Sequence, residues 1–334
     1  MAAANNKLID NYGRQVIYLR VSVTQKCNLN CFYCRPEECE AESGKDSLGA
    51  EEYYNIVKSA AEMGIYKVRL TGGEPLLRPD IIPIISSLSS IPQLKDLSLT
   101  TNGILLENRA FELASAGLNR VNISMDSLDE ANFHQITNGG KLKNALGGIE
   151  NSLKASLTPV KINAVLLKGI NDHEIHDFLK LTLEQELDVR FIEYMPASQE
   201  ESRWSKHFIS LDKVKEIAGT IAPLIPIEGD HGGGPAEYYR FERAKGRIGL
   251  ISPLSRHFCD RCNRMRITSD GKIKPCLFSQ EEVDLNPHLS QGDKIKQKLV
   301  EALQIKPDPG KAALGACDRM KQFRGKRSML EIGG

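Results

Sequence analysis

The stretch CNLNCFYC, residues 27–34, brings three cysteines into one short run. Cys27, Cys31 and Cys34 are one thiolate short of the four ligands that close a structural zinc site or occupy every iron of a [4Fe–4S] cluster. Three protein ligands leave one metal position open, and an open position is where a substrate or a cofactor can bind. Zinc sites usually show paired C-x2-C units instead. A zinc knuckle completed by a distant ligand is therefore the weaker alternative.

Around this run, short β-rich segments alternate with amphipathic segments from about residue 14 to residue 220. The predicted strands are Val16–Val23, Tyr66–Thr71, Asp96–Thr101, Arg120–Met125, Val160–Leu166 and Val189–Tyr194. The predicted helices are Ala50–Met63, Asp80–Ser89, Glu107–Ala116, Leu142–Ala155 and His173–Glu184. Strands and helices in alternation predict a parallel sheet with right-handed crossovers. Six strands of this kind predict an α/β fold, an incomplete (β/α)6 TIM-like barrel.

One face of every predicted strand is polar, although a parallel sheet is normally apolar on both faces. Successive strand residues point to opposite sides, so each polar set lines one side of the sheet. These residues are Arg20, Lys67, Arg69, Thr71, Ser98, Thr100, Asn102, Asn122, Ser124, Asp126, Lys161, Asn163 and Arg190. Burying an unpaired charge costs several kcal/mol, so we expect a binding site inside the barrel, with solvent-exposed strand edges as the alternative. Five cations and one acid predict an anionic ligand.

A second cysteine group lies in the C-terminal part of the chain. Cys259 and Cys262 form a C-x2-C pair, and Cys276 follows later. The intervening Asp270-Gly271 is a hairpin signal that would fold Cys276 back towards the pair. Three thiolates again stand without an obvious fourth ligand.

The residues beside this second group favour a substrate pocket. Arg264 and Arg266 are two apart on a predicted strand, so their guanidinium groups share one face. Arginine is the natural bidentate partner of phosphate. A structural zinc site completed by Cys317 or His257 is the alternative.

The C-terminal part begins with a Gly/Pro-rich stretch from Pro226 to Pro235, which indicates a long loop or hinge. Short predicted strands follow, and then one helix: Tyr238–Phe241, Arg247–Ile251, Arg264–Thr268, Lys272–Pro275 and the helix Asp293–Leu303. A basic tail ends in Gly333-Gly334. We therefore expect a partial barrel in residues 1–225 and a smaller C-terminal region in residues 226–334.

The composition is ordinary for a soluble globular enzyme, with 41% hydrophobic and 26% charged residues and a net charge of +1. Nothing in it suggests non-specific binding to nucleic acid or membranes. No apolar run approaches the roughly 20 residues that cross a bilayer, and Met1–Lys7 lacks a signal-peptide core. We expect a cytoplasmic protein, in which cysteines serve as metal ligands or thiols rather than disulfides. Cys39 and Cys317 are expected to be free thiols.

With both cysteine groups quoted, the chain resembles the radical S-adenosylmethionine (radical SAM) enzymes, and among them the branch that opens molybdenum-cofactor biosynthesis. The resemblance covers nearly the whole chain, and the second cysteine run with its N-R-M-R continuation is its most specific part. The matching segments are Gly13-Arg14, Tyr18–Arg20, 27–34, Thr71–Pro75, Thr100–Gly103, Asn163–Asp172, Gly234–Tyr239, 259–276 and Gly333-Gly334. It implies a barrel of the radical SAM type with a second iron–sulfur site in the C-terminal region.

The resemblance implies two [4Fe–4S] clusters and SAM as cofactors. Cys27, Cys31 and Cys34 would hold the cluster that binds SAM, and Cys259, Cys262 and Cys276 would hold the second cluster, whose open iron binds guanine. The implied SAM contacts are Tyr33, Gly73, Ser124 and Met195, with Glu74 at the SAM amino group. The implied GTP contacts are Arg20, Arg69, Thr100, Lys161, Arg264, Met265 and Arg266.

The activity that the resemblance implies is a lyase reaction on GTP. A 5′-deoxyadenosyl radical from SAM removes the 3′ hydrogen, C3′ bonds to C8, and the product is 3′,8-cyclo-7,8-dihydro-GTP. The implied partners are an electron donor such as flavodoxin or ferredoxin and a downstream cyclic pyranopterin monophosphate synthase. A homodimer is left open, and the terminal glycines would reach towards the active site. The alternatives are a radical SAM peptide-modifying enzyme with an auxiliary cluster and a structural zinc protein used for binding.

Overall fold

The computed structural model describes residues 7–34, 48–195, 201–227, 234–312 and 327–333, with side chains left aside at 201–202 and 311–312. The strands are β1 (Tyr18–Ser22), β2 (Lys67–Thr71), β3 (Asp96–Thr101), β4 (Arg120–Ser124), β5 (Val160–Leu166), β6 (Leu187–Glu193), β7 (Leu224–Pro226), β8 (Glu237–Phe241), β9 (Arg247–Ile251), β10 (Arg264–Ile267), β11 (Lys272–Lys274) and β12 (Val283–Asp284). The helices are α1 (Ala50–Glu62), α2 (Ile81–Ser89), α3 (Ala110–Ser115), α4 (Glu130–Thr137), α5 (Leu142–Lys154), α6 (Ile175–Glu184), α7 (Glu201–His207), α8 (Asp212–Ile221), α9 (Gly292–Gln304), α10 (Pro309–Ala312) and α11 (Met329–Ile332).

Strands β1 to β6 form a parallel sheet in chain order, each paired with the next. Helices α1, α2, α3, α5 and α6 lie in the crossovers between them. All six strand predictions and all five helix predictions of this part are confirmed, with ends that move by up to three residues. The α/β partial barrel is therefore the observed architecture.

The C-terminal part of the chain extends the same sheet at both of its edges. β10 pairs in parallel with β1, and β9 pairs in parallel with β6. β11 and β12 continue antiparallel beyond β10, and β8 and β7 continue antiparallel beyond β9. The second cysteine group therefore stands beside the first strand of the barrel. The division at residues 225 and 226 remains a prediction.

Alternation along the strands separates an apolar outer face from a polar inner face. On β2, Val68 and Leu70 are fully buried in the hydrophobic core, whereas Lys67, Arg69 and Thr71 point the other way, towards the barrel interior. Helix α1 covers the outer face with a buried apolar stripe, as an amphipathic helix does. The core thus lies between sheet and helices, and the interior is left for polar groups.

Several short elements were not predicted. Helix α4 has only two buried apolar side chains, Phe133 and Ile136, too few to show a helical period. Its start is fixed instead by Asp129, whose carboxylate accepts a hydrogen bond from the Asn132 amide at 2.8 Å. Helices α7 and α8 and strands β7 and β12 were also missed. Pro226 was assigned to a loop but ends the edge strand β7, a position that proline tolerates.

Some predictions concern residues outside the described ranges. Cys39, Cys317, Gly334 and residues 228–233 of the Gly/Pro-rich stretch lie outside the described ranges. Within those ranges, no helix combines the length and the apolar character needed to cross a membrane.

Leu99, on the outer face of β3, tests the core. Its side chain is 0% exposed, so Leu99→Ala should lower the free energy of unfolding by about 3 kcal/mol through lost burial and a residual cavity. Leu146→Ala is the matched control, because Leu146 is 43% exposed and should change stability by less than about 0.5 kcal/mol. Urea unfolding of the cluster-free protein measures both. Equal losses would contradict this placement of the core.

Candidate active site

The inner face of the barrel encloses a cavity of about 650 Å³. It has the size of a small-molecule site. Nearly all the predicted site residues line it: Arg20, Cys27, Cys31, Tyr33, Cys34, Arg69, Gly73, Thr100, Ser124, Lys161, Met195, Cys259, Cys262, Arg264, Arg266 and Cys276. The fold thus brings both cysteine groups and the inward cations to one space.

The first cysteine group lies in the loop after β1 and is held by the end of α4. The Asn30 and Phe32 amides donate to the carbonyls of Thr137 and Ile136 at 3.1 and 3.3 Å. These carbonyls belong to the last turn of α4, which a helix leaves without internal partners. A helix that the sequence pattern did not reveal therefore fixes the loop that carries the cysteines.

The thiols of this group belong to half-buried residues that line the same cavity. Burial, with the nearby Asp126, raises the pKa of Cys31 well above its usual value, and burial and Cys27 raise the pKa of Cys34 to about 12. Such thiols stay protonated by themselves, and metal binding displaces their protons. The protein therefore supplies three soft sulfur donors whose thiolate form depends on a cation.

The turn after β2 packs directly against the backbone that leads into the cysteine loop. The Gly73 amide donates to the Thr24 carbonyl at 2.8 Å. A Cβ on Gly73 would lie 2.3 Å from the Lys26 carbonyl oxygen, and one on Gly72 would lie 2.4 Å from that of Thr24. Gly72 also has a φ of +148°. Only glycines fit this close approach.

Glu74, in the same turn, is held by other parts of the chain. Its side chain is 0% exposed and accepts hydrogen bonds from the Leu76 amide, the Thr101 hydroxyl and the Asn102 amide at 3.0, 2.8 and 2.7 Å. Burial raises the pKa of this carboxyl to about 7. Glu74 thus joins the turn to the end of β3, and its contact to the SAM amino group stays a prediction.

Cations at the floor of the cavity are neutralised by two acids, the half-buried Asp96 and the buried Asp188. Asp96 pairs with Arg120 at 2.7 Å and Lys67 at 3.3 Å. On the other side, Asp188 pairs with Arg247 at 2.6 Å and with Lys161 at 2.8 Å. Such pairs are how a protein retains buried charges.

Higher in the cavity, cations outnumber acids. Arg69 donates to the Ser98 hydroxyl at 3.3 Å, and Arg190 donates to the Asn122 side-chain oxygen at 2.7 Å, both neutral partners. In the described part of the chain, no acidic side chain forms an ion pair with either of these, or with Arg264 or Arg266. The uncompensated charge calls for an anionic ligand.

The excess of positive charge is greatest where β1 and β10 pair, because both strands carry inward arginines. Arg20 pairs in register with Arg266, and Tyr18 with Arg264, so the cations of the two strands share one face. Burial and the charge of Arg266 lower the pKa of Arg20 to about 9. Burial and the charge of Arg264 lower the pKa of Arg266 to about 10. A bound anion would relieve both effects.

Buried polar atoms without partners mark the same space. The Tyr18 hydroxyl, the Thr100 hydroxyl, the Asn163 side-chain oxygen and the Arg190 Nε have no hydrogen-bond partner among the described residues. Buried polar groups are normally satisfied, so these atoms await a polar ligand. Sequence reasoning gave Tyr18 no role of its own, because a tyrosine among apolar strand residues looks like core.

Tyr18 lies beneath the cations at the floor of the cavity. Lys67 and Arg69 stand over its ring at 5.3 and 5.5 Å. Burial raises the pKa of the phenol, but Arg69, Arg20 and other neighbouring cations outweigh it and lower the value to about 8.

The second cysteine group sits on the hairpin that the sequence predicted. Asp270-Gly271 joins the antiparallel strands β10 and β11, and Gly271 has the expected positive φ of +81°. Cys259 and Cys262 precede β10, and Cys276 follows β11. Burial raises the pKa of Cys262, but the charges of Lys306 and Arg264 lower it to about 7. This group, unlike the first, stands in cationic surroundings.

Both cysteine groups fit a cluster better than a single ion. Among the described residues, no three His, Cys, Asp or Glu side chains converge on a point that one metal ion could occupy. In a [4Fe–4S] cluster each cysteine binds a different iron, so cluster ligands need no common point. Three thiols opening onto a polar cavity are a suitable donor set.

The Met265 side chain faces away from the cavity. Met265 lies between Arg264 and Arg266 on β10, and alternation turns its side chain to the opposite face, where it is 0% exposed in the core. The GTP contact of Met265 stays a prediction, and on β10 its backbone is the part that lies next to the two arginines.

The C-terminal tail reaches the cavity. Arg266 donates through Nη1 to the carbonyls of Gly333 and Ile332, and Met329 and Leu330 line the cavity wall. Gly333 has a φ of +74°, and a Cβ there would lie 2.3 Å from the Thr71 Cγ2. Both the positive φ and the contact with Thr71 favour glycine at position 333.

Gly73→Ala tests the packing of the turn. The added Cβ has no room against the Lys26 carbonyl, so the free energy of unfolding of the cluster-free protein should fall by about 2 kcal/mol. Gly219→Ala on α8 is the control, since a Cβ there meets nothing within 4 Å and alanine favours a helix. Urea unfolding of both variants measures the difference, and similar stabilities would contradict the close approach.

Comparisons with known proteins agree with this site. A family model described as Radical SAM superfamily matches residues 21–182, and one described as Molybdenum Cofactor Synthesis C matches residues 187–311. Proteins named GTP 3′,8-cyclase are similar over nearly full length. That of Listeria welshimeri is 42% identical over 330 residues, covering 98% of this chain and 99% of the relative. That of Thermodesulfovibrio yellowstonii is 45% identical over 332 residues, covering 97% and 99%.

Solved structures share the fold. The crystal structure of Streptococcus suis SuiB bound to S-adenosylmethionine has a TM-score of 0.61 at 15% identity, covering 94% of this chain and 71% of that one. Native anSMEcpe with bound AdoMet has a TM-score of 0.56 at 17% identity, covering 95% and 93%. At these identities the likeness concerns the fold alone. The full-length relatives carry the finer assignment: the chain belongs to the radical SAM superfamily and, within it, to the GTP 3′,8-cyclase family.

Proposed function

We propose that this protein converts GTP to 3′,8-cyclo-7,8-dihydro-GTP, the first step of molybdenum-cofactor biosynthesis. One observation carries the proposal: a single cavity is lined by both cysteine groups and by buried arginines that no described acidic side chain neutralises. A nucleoside triphosphate supplies the missing negative charge. The full-length relatives named GTP 3′,8-cyclase support the same substrate.

SAM and [4Fe–4S] clusters are the cofactors of this family. We assign Cys27, Cys31 and Cys34 to the first cluster and Cys259, Cys262 and Cys276 to the second. When bound, these cofactors would supply the radical chemistry, in which a 5′-deoxyadenosyl radical removes the 3′ hydrogen of the substrate. The chain itself binds, orients and shields the reactants.

The SAM contacts are assigned to the side of the cavity near the first cysteine group. Gly72 and Gly73 line this side of the cavity, and their packing against Thr24 and Lys26 fixes the backbone that SAM would contact. The Tyr33 hydroxyl donates to Asp126 at 2.5 Å, which fixes the aromatic ring next to Cys34. Ser124 and Met195 complete this wall.

The triphosphate contacts are assigned to the cationic part of the cavity. Arg20, Arg69 and Lys161 point inward from three strands of one rigid sheet, with Thr100 on a fourth. Charge-assisted hydrogen bonds from such groups are strong where water is excluded. The unpartnered Thr100 hydroxyl and Arg190 Nε would gain partners at the same time.

The guanine end is assigned to the second cysteine group. Arg264 and Arg266 stand next to it on β10 and share a face with Arg20. They can hold the phosphates on one side while the base approaches the open metal position on the other. This arrangement would set the distance between C3′ and C8 that the bond-forming step requires.

Further partners and properties are proposed on chemical grounds. The reaction requires a one-electron donor such as flavodoxin or ferredoxin, and its product requires a downstream cyclic pyranopterin monophosphate synthase. A cytoplasmic location follows from cysteine usage, and a homodimer stays open. The peptide-modifying alternative gains no support from relatives that are 42–45% identical over nearly the full length and carry another name.

Arg266→Ala tests the substrate placement. Removing this guanidinium should raise the KM for GTP about tenfold or more, because a charge-assisted hydrogen bond contributes about 1.5–3 kcal/mol. Iron content should stay unchanged, since Arg266 supplies no ligand. Arg240→Ala is the control, because Arg240 is exposed on β8. Initial-rate kinetics with iron analysis measure the outcome, and a normal KM would count against the placement.

Deletion of Gly333-Gly334 tests the tail. The truncated protein should lose most of its GTP turnover while it retains its iron, because the tail contacts Arg266 and not the cysteines. Deleting residues 1–6 controls for truncation as such and should leave turnover near normal. Product formation is followed by chromatography, and full turnover without the glycines would refute the functional tail.

A further inference from the structure

We propose that Lys306 positions the second cysteine group and raises the reduction potential of the cluster that it holds. The proposal rests on the assignment of Cys259, Cys262 and Cys276 as ligands of that cluster. Lys306 follows helix α9 and is only 3% exposed. Lys306 is not among the residues that line the cavity, so it does not belong to the substrate site.

The ammonium group of Lys306 joins two separate segments of the cysteine-bearing chain. Its Nζ donates to the Arg264 carbonyl and to the Pro275 carbonyl, both at 2.8 Å. Arg264 begins β10, two residues after Cys262, and Pro275 immediately precedes Cys276. One side chain therefore fixes the spacing of two cysteines that are distant in sequence.

The same ammonium approaches a thiol directly. Its third neighbour is the Cys262 Sγ, at 3.8 Å. Within the described ranges no carboxylate forms an ion pair with Lys306. A buried cation that faces only two carbonyls and one sulfur is costly unless an anion completes its surroundings. An iron-bound thiolate of Cys262 would be the anion that stabilises the Lys306 ammonium.

Arg14 anchors the segment that carries Lys306. Its Nη2 donates to the Pro307 carbonyl at 2.7 Å, and its Nη1 donates to the Cys259 carbonyl at 2.8 Å. Asp10 holds the same guanidinium at 2.6 Å. Lys306 and Arg14 together tie the backbone beside all three cysteines to one point, so the Lys306 ammonium cannot drift from the cluster site.

A fixed positive charge next to a cluster should ease its reduction. Reduction adds an electron, and net charge and hydrogen bonds to the sulfurs set the potential of an iron–sulfur cluster. At the thiols of the first cysteine group, Asp126 and Glu74 contribute negative charge instead. Loss of the Lys306 charge should therefore affect the second cluster alone.

Lys306→Met is the direct test, since it keeps the length of the side chain and removes charge and donors. In anaerobically reconstituted protein, the second cluster should become about tenfold harder to reduce, which is a midpoint shift of about 59 mV to more negative values. The midpoint of the first cluster should not move. Redox titration followed by EPR measures both. Lys306→Arg, which keeps the charge, should bring the midpoint of the second cluster back close to the wild-type value.

The cluster-free protein gives an independent readout of positioning. Lys306→Met should lower its midpoint of urea unfolding, because the two carbonyls lose their donor in a buried site. Lys298→Met is the matched control on α9, where the side chain is 30% exposed and pairs with Glu301. It should change neither stability nor either potential.

The outcomes separate this inference from the proposed function. A wild-type protein that binds only one cluster would overturn the cluster assignment itself. Two clusters with the same midpoints in Lys306→Met and in the wild type would overturn the role of Lys306 and leave the assignment intact. Selective loss of the second cluster in Lys306→Met, with the first retained, would support positioning. If Lys306→Met fails to fold, Lys306→Gln decides by its midpoint, because it keeps a donor without charge.

Discussion

The structure depends on an excess of buried positive charge inside the barrel. Asp96 and Asp188 neutralise the lowest cations, but within the described ranges Arg69 and Arg190 donate to neutral oxygens. A packed interior cannot hold such charge without a counter-ion. The excess therefore acts on ligand choice: it excludes a neutral or cationic substrate and favours one with several negative charges. The buried charge lowers the stability of the ligand-free fold, and binding of an anionic ligand offsets this loss.

The sheet gathers the unneutralised cations around one cavity. Parallel strands in register place their inward side chains side by side, and the C-terminal part adds β10 next to β1. Arg266 thereby meets Arg20, and the second cysteine group comes to the same cavity as the first. The tail reaches the same arginine through Gly333. The proposed substrate site, both cysteine groups and the tail therefore meet beside one strand pair.

The strands of the barrel and the cations on their inner face could be predicted from the alternation of polar and apolar residues. Strand β5 was predicted with its observed ends, because Val160–Leu166 alternates clearly and is bounded by Pro159 and a turn. The inward cations followed from the same alternation. Met265 was named together with its neighbours as one motif, although alternation alone places its side chain in the core. A motif match names positions, and the geometry of the strand decides which side chains share a face.

Long-range contacts account for the remaining differences. The Glu74 carboxylate is satisfied by Thr101 and Asn102, and no local pattern shows that pairing. Helix α4 and Lys306 also act on cysteines far away in sequence. Asp188, which neutralises Lys161 and Arg247, lies just before the predicted sixth strand, Val189–Tyr194, and was given no role. Such roles appear only when the partners are placed in space.

The central claim is that radical chemistry and GTP binding share one cavity. The most direct measurement is 5′-deoxyadenosine formation by anaerobically reconstituted protein with SAM and dithionite, compared for GTP, ATP and no nucleotide. Strong stimulation by GTP alone is the predicted result. Formation at the same rate with or without GTP, in protein shown to hold iron and sulfide at both sites, would contradict it.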